Sequence, residues 1–268
     1  DFAFMRRAFI AAGFAAIACA VVGTYVVLKG LAFMGDAIAH SSLTGMAAAF
    51  VLGGSAFLGA LAWVVPASLA ITYISRRSRL MMDTSIGIIY AGGLALGIII
   101  ISRVSNYTAD LFSFLFGNVL AVSWGEIIGI GVVAAVVIAT VFIFYKELLF
   151  TSYDATMAAA SGVPVRLVQY MLPLLLGVTT VAAVKTVGIV LVLALLVIPA
   201  ATAILLVRRF LAIMGVSVAM AIVATVVGLY LSFHMNVPSG PAIVLVAVGL
   251  FAVAMTVSPT SGILRRGF

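Results

Sequence analysis

The sequence predicts an all-α protein, a polytopic bundle of transmembrane helices forming a single domain over residues 1–268. Three observations lead there. Hydrophobic residues make up 66% of the chain and charged residues 8%, against roughly 25% charged in an ordinary soluble domain. The apolar residues fall in runs of about twenty, the length at which an internally hydrogen-bonded helix crosses a bilayer. The basic residues, 14 Lys and Arg against 7 Asp and Glu, stand in short gaps between those runs. That is the pattern of loop anchoring at a membrane face and not of a nucleic-acid groove, so nucleic acid is not expected as a partner.

The first run, Ala8–Leu28, follows Arg6-Arg7 as a signal peptide would, but it is too long for one and many further runs follow, so it reads as a retained helix. Further spans are expected at Ser55–Ser75, Ser85–Ser102, Glu126–Tyr145, Val165–Val184, Thr186–Val207, Phe210–Leu231 and Gly240–Val257. Two segments fit less simply: Leu31–Leu52 is apolar yet carries Asp36 and His40, and Leu111–Val122 is too short to cross unaided. Lys185 interrupts about forty apolar residues, two spans' worth, and reads as a tight outer turn. Gly188 and Pro199 in the next helix point to close packing and a kink.

If the helices from Ser55 onward alternate, Arg76-Arg77-Arg79, Lys146, Arg166, Arg208-Arg209 and Arg265-Arg266 share one face, which is cytoplasmic by the positive-inside rule. The carboxyl terminus then lies inside, and Leu111–Val122 is re-entrant or lies at the outer surface. Two arrangements of the amino terminus stay open. If Leu31–Leu52 crosses, it is outside and there are nine spans, as Lys29 and the length of the segment suggest; if the segment only dips in, there are eight, as Arg6-Arg7 suggest.

The cytoplasmic loop of about residues 146–164 is long enough to carry structure. Asp154 is placed to cap a short helix through Ala155–Ala160, Gly162 to stop it, and Pro164 to open the next span. A plain surface connector is the alternative.

Asp36 and His40, four residues apart, project from one face of a helix, and a carboxylate with an imidazole suits zinc and tolerates manganese. Ionisable groups within lipid mark ion pathways. The spacing equally allows Asp36 to cap a helix while His40 bonds a neighbouring carbonyl. Two ligands make too small a metal site, but a two-fold dimer would bring four together. Asp110, Glu126 and His234 are expected on the outer side, where they could draw cations to an entrance; interfacial helix-end groups are the ordinary account of all three. The single Cys19 provides neither a disulfide nor a cysteine metal cluster. A Gly-x-x-x-x-Gly-Lys-Ser/Thr phosphate loop is missing, as are Gly-x-Ser-x-Gly and His-Glu-x-x-His, so the chain is read as neither an ATPase nor an intramembrane hydrolase.

Several motifs together resemble the zinc/manganese class of bacterial ABC permeases: Phe4-Met5-Arg6-Arg7-Ala8, Gly35-Asp36-Ala37 to His40 with Gly45, Asp83-Thr84 with Ile86-Gly87-Ile88, and Phe116-Gly117-Asn118 with Ser123-Trp124-Gly125. Val187-Gly188, Pro199-Ala200-Ala201-Thr202-Ala203 and Pro238-Ser239-Gly240-Pro241 extend the resemblance over nearly the whole chain. It implies a homodimer in the bacterial cytoplasmic (inner) membrane, seated on two cytoplasmic ABC ATPase subunits that hold ATP and Mg2+, and supplied by an extracytoplasmic metal-binding protein. It also implies that Asp154–Gly162 is the coupling helix, with Ala158 and Gly162 in the family's Ala-x-x-x-Gly places, and that Asp36 and His40 form the intramembrane metal site. Ala155-Thr156-Met157 departs from the family, where Pro and an acidic residue are common.

The function expected from these readings is alternating-access import of a divalent metal, with no permanently bound cofactor. Zn2+ is favoured over Mn2+ or iron because His40-Ser41-Ser42-Leu43 and Pro238–Pro241 look closer to zinc members. Two alternatives are an ABC permease for chelated metal or cobalamin and a proton-coupled secondary transporter.

Overall fold

The computed structural model describes residues 3–78, 80–103 and 122–258. They form α1 (Ala3–Leu28), α2 (Ala32–Val51), α3 (Ala56–Arg77), α4 (Met82–Ile101), α5 (Trp124–Ile143), α6 (Tyr145–Tyr153), α7 (Ala155–Ala160), α8 (Val165–Val187), α9 (Ile189–Leu206), α10 (Phe210–Met235) and α11 (Ser239–Val257). Among the described residues there is no strand.

Seven helices, α1, α3, α4, α5, α8, α10 and α11, are long and apolar enough to cross a membrane. The expected span Thr186–Val207 appears as α9, whose apolar stretch Leu191–Leu206 is shorter than the other seven. The Leu31–Leu52 segment is one unbroken helix, α2, of 20 residues, about 30 Å at 1.5 Å per residue. Against the expectation of eight to nine spans, seven helices among the described residues qualify on length and composition. The re-entrant segment expected at Leu111–Val122 lies, except for Val122, outside the described residues, as do Asp110, Arg79, Arg265 and Arg266.

Contacts fix the direction of each helix. At one end of the bundle, Lys29, Arg76, Ser152 and Gln169 line a common pocket, which places the end of α1, the end of α3, α6 and the start of α8 together. The Phe210 ring lies 4.8 Å from that of Tyr25 and 5.9 Å from that of Tyr145, adding the start of α10. Arg7, in contrast, stands over the Trp124 ring at 5.4 Å, beside the start of α5. The start of α1 therefore lies at the end opposite Arg76, so Arg6-Arg7 do not share a face with Arg76-Arg77, Arg166 and Arg208-Arg209. The sequence weighed those two arginines as cytoplasmic; the ring of Trp124 accepts one of them instead, an attraction that needs no particular side of the membrane.

Most of α1 and α8 is buried, whereas α4, α5 and α11 leave broad apolar faces outward. The tightest packing surrounds α2. Gly45 of α2 and Gly59 of α3 face each other so closely that a methyl group on either would overlap the other's carbonyl. On the far side, a Cβ on Gly93 of α4 would lie 2.7 Å from the Ser41 Cβ and one on Gly97 would lie 3.0 Å from the Thr44 nitrogen. The Thr44 hydroxyl donates to the Gly93 carbonyl across this contact. Small residues let helix backbones approach where lipid supplies no hydrophobic drive between helices.

Between α8 and α9 the chain turns on one residue, Gly188, at φ 83° and ψ 163°, a region essentially restricted to glycine. The turn folds α9 back on α8: a Cβ on Gly35 would meet both Leu196 of α9 at 3.1 Å and Leu176 of α8 at 3.7 Å. In a straight helix those two leucines would lie about 30 Å apart. The side chain of Lys185, the turn residue expected from sequence, is outside the described set.

Candidate functional site

Asp36 lies in the second turn of α2 and His40 one turn further on, both half-buried. The His40 Nδ1 lies 3.0 Å from the Asp36 carbonyl oxygen and 3.4 Å from its carboxylate Oδ1. A carbonyl only accepts, so Nδ1 carries the proton and the neutral ring keeps its lone pair on Nε2. Fixing one ring nitrogen so that the other is free to coordinate is what outer-shell partners do for metal-binding histidines. Tyr90 of α4 packs edge-on against the ring at 5.6 Å and 84°, which steadies it further. Part of the alternative account is thus visible, since His40 does bond a neighbouring carbonyl. The other part is not: α2 begins at Ala32, so Asp36 lies beyond its first turn and caps nothing.

Asp36 lines a cavity of about 370 Å³ together with Phe33, Asp83, Ile86 and Tyr90. Asp83 entered the sequence reading only as part of a motif. It is one of 7 acidic residues in the chain, a scarcity that could have singled it out; nothing local links it to Asp36, with which it shares a cavity because α2 and α4 run side by side. Among the described residues there is no cluster of three or more His, Cys, Asp or Glu side chains suited to a metal. One chain therefore brings two donors to this place, enough for transient coordination and too few for a tight structural site.

Of the residues considered for an outer entrance, Glu126 and His234 have structural tasks at the end of the bundle opposite Arg76, and Asp110 lies outside the described residues. Glu126 accepts from the Ser123 backbone N–H at 2.8 Å while its own N–H donates to the Ser123 hydroxyl at 3.3 Å, a capping box at the start of α5. His234 bonds the Tyr230 carbonyl through Nδ1 at 3.0 Å and lies in the last turn of α10.

The segment 146–164 folds as two short helices rather than one. After a break at Phe144 the chain continues as α6, and α7 follows. Asp154 caps α7, its Oδ1 accepting from Thr156 N at 2.8 Å and Met157 N at 2.9 Å. Ala158 is buried, and Gly162, at φ 83°, ends the helix with its N–H on the Ala159 carbonyl. Met157 and Tyr153 stay largely exposed, an apolar pair at the bundle's end. Asp154→Ala removes both cap bonds, and a lost cap costs about 1 kcal/mol. Hydrogen exchange at the Thr156 and Met157 amides is expected to quicken about 5-fold, with the rest of the bundle unchanged.

A bundle of long apolar helices, with a half-buried carboxylate–imidazole pair on one of them and a capped helix pair at its basic end, defines a membrane transport protein. The chain belongs to the ABC 3 transport family, whose sequence profile matches residues 1–258. It is a multi-pass integral membrane protein and a transporter subunit, not an enzyme. It is 42% identical to the manganese transport system membrane protein MntC of Halalkalibacterium halodurans, over 99% of this chain and 91% of that one. It is 40% identical to the manganese import system permease protein ScaB of Streptococcus gordonii, over 99% of this chain and 95% of that one. Among solved structures, PsaBC from Streptococcus pneumoniae in complex with Fab superposes with a TM-score of 0.89 at 37% identity, covering 100% of this chain and 96% of that one.

Proposed function

We propose that this chain is the permease subunit of an ATP-driven importer of divalent metal in the bacterial inner membrane, with Mn2+ as its cargo. The observation that carries the proposal is the Asp36–His40 pair, preset for coordination in an otherwise apolar segment. Similarity over nearly the whole chain to permeases named for manganese favours that ion. The preference for zinc drawn from His40-Ser41-Ser42-Leu43 and Pro238–Pro241 finds no support in those relatives. Carboxylate, water and one imidazole per chain suit Mn2+, which takes more ligands and harder ones than zinc does.

Two copies related by a two-fold axis would place two such pairs across one pathway, each copy resting on an ATPase through Asp154, Ala158 and Gly162 of the α7 segment. Metal delivered by a binding protein outside is held briefly near Asp36 and His40 and released inward as the two halves rock. In this reading α2 and α9 cross with the other seven helices, giving nine spans with the amino-terminal end of α1 outside.

The test is uptake into vesicles holding the permease, its ATPase and a loaded binding protein. Manganese accumulation that stops without ATP hydrolysis, and that equimolar zinc reduces less than twofold, is expected. Accumulation of zinc with manganese excluded would reverse the assignment of the ion. Metal accumulation with no ATPase present would point to the secondary-transport alternative.

A further inference from the structure

A pocket of about 410 Å³ at the basic end of the bundle is left unexplained by the transport reading. Lys29, in the turn between α1 and α2, and Arg76, in the last turn of α3, stand on its walls. Neither has an acidic partner among the described residues. Lys29 is half-buried, and that burial lowers the pKa of its ammonium, so a cation sits in a partly dry place without a counter-charge. The Arg76 guanidinium donates to the Gln169 Oε1 of α8. That bond orients the arginine and leaves the Gln169 amide N–H2 as a further donor.

The inner wall differs in character. Leu172 and Pro173 of α8 line it beside Thr72, whose hydroxyl is spent on the Ser68 carbonyl, and Leu172 lies two turns into α8, about 10 Å from its start. The recess thus runs from the level of the loops, where its groups are cationic, to the depth of the hydrocarbon, where they are apolar. A free phosphate would satisfy the outer part and leave the inner wall empty. An acidic side chain from a docked ATPase would do the same.

We propose that this pocket binds the phosphodiester headgroup of an anionic phospholipid of the inner leaflet, with Lys29 and Arg76 on the phosphate and the first acyl carbons against Leu172 and Pro173. Basic pockets between transmembrane helices on the cytoplasmic side are suited to such headgroups. Ser152 of α6 lines the same space, so the lipid would join the α1–α2 turn, and through it the helix bearing Asp36, to the helix pair at the basic end. The site stands independently of which metal is carried.

The experiment uses the complex of the permease with its ATPase, stripped of lipid in detergent and given short-chain phosphatidylglycerol, short-chain phosphatidylcholine or inorganic phosphate. Native mass spectrometry reads bound lipid and thermal unfolding reads stability. Phosphatidylglycerol is expected to stay bound and to raise the unfolding midpoint, the other two probes to do neither. Lys29→Gln should weaken phosphatidylglycerol binding about 5-fold, the effect of one basic residue at an anionic membrane surface, and Lys29→Arg should restore it. Arg76→Gln provides an independent second reading if Lys29→Gln does not assemble. An equal shift with inorganic phosphate, unchanged lipid binding in both glutamine variants, or lipid that binds the permease alone and is expelled by the ATPase would each overturn the proposal.

Discussion

Asp36→Asn and His40→Ala are each expected to lower single-turnover manganese uptake roughly 100-fold, the upper range of what a disturbed metal shell costs. Asn keeps the volume of Asp36 and removes the charge that offsets a divalent cation. It also leaves the backbone carbonyl that accepts from His40 Nδ1 in place, so the fall reports charge and not collapse of the helix. His40→Ala removes the Nε2 donor and the edge contact with Tyr90. Both variants should assemble with the ATPase and the loaded binding protein as the wild type does. Wild-type uptake in both would make the pair structural, and the pathway would have to be sought near Glu126 and His234.

Gly45→Leu should be the most damaging single change to the fold. The backbone of α3 at Gly59 occupies the place its side chain would take, and a backbone, unlike a side-chain tip, cannot rotate away. Overpacking of this kind costs about 1–3 kcal/mol and occasionally more, and here α2 has to leave α3 and disturb its contact with α4. Loss of most correctly inserted protein, or a fall in unfolding midpoint of about 5 °C or more, is expected. Gly92→Ala serves as the contrast: nothing lies within 4 Å of a Cβ there, and exchanging glycine for alanine in a helix adds up to about 1 kcal/mol of stability. Equal midpoints for Gly45→Leu and wild type would show that α2 and α3 are not packed as described.

The helices were legible wherever apolar runs end in charges or turn residues, because hydropathy reports a contest between lipid and water that each segment decides largely by itself. The cap at Asp154 and the stop at Gly162 were legible for a similar reason: both act within one turn. What the sequence concealed depends on neighbours distant in the chain. Arg6-Arg7 argued for a cytoplasmic start because charge rules count residues and do not see that Trp124 lies beside Arg7. Asp83 and Tyr90 join the candidate site only through the packing of α4 on α2, which no local spacing encodes. The preference for zinc is unsupported by the relatives for another reason: a carboxylate and an imidazole are common to both metals, and the remaining coordination positions are not written in this chain alone.

Gly188 has a consequence for how the protein is made. The stretch from Val165 to Leu206 is apolar for about forty residues, twice what a bilayer needs. Near its middle only Lys185 marks a place to turn, and one charge does not by itself force the chain to cross twice. In the nine-span reading the fold-back at Gly188 decides the matter, and with it the orientation of everything downstream: one crossing in place of two would insert α10 and α11 upside down. Arg208-Arg209, just after α9, resist that outcome because they are costly to translocate. A backbone conformation available to one amino acid and a pair of charges twenty residues later thus act as two independent safeguards on the orientation of the carboxyl-terminal third of the protein.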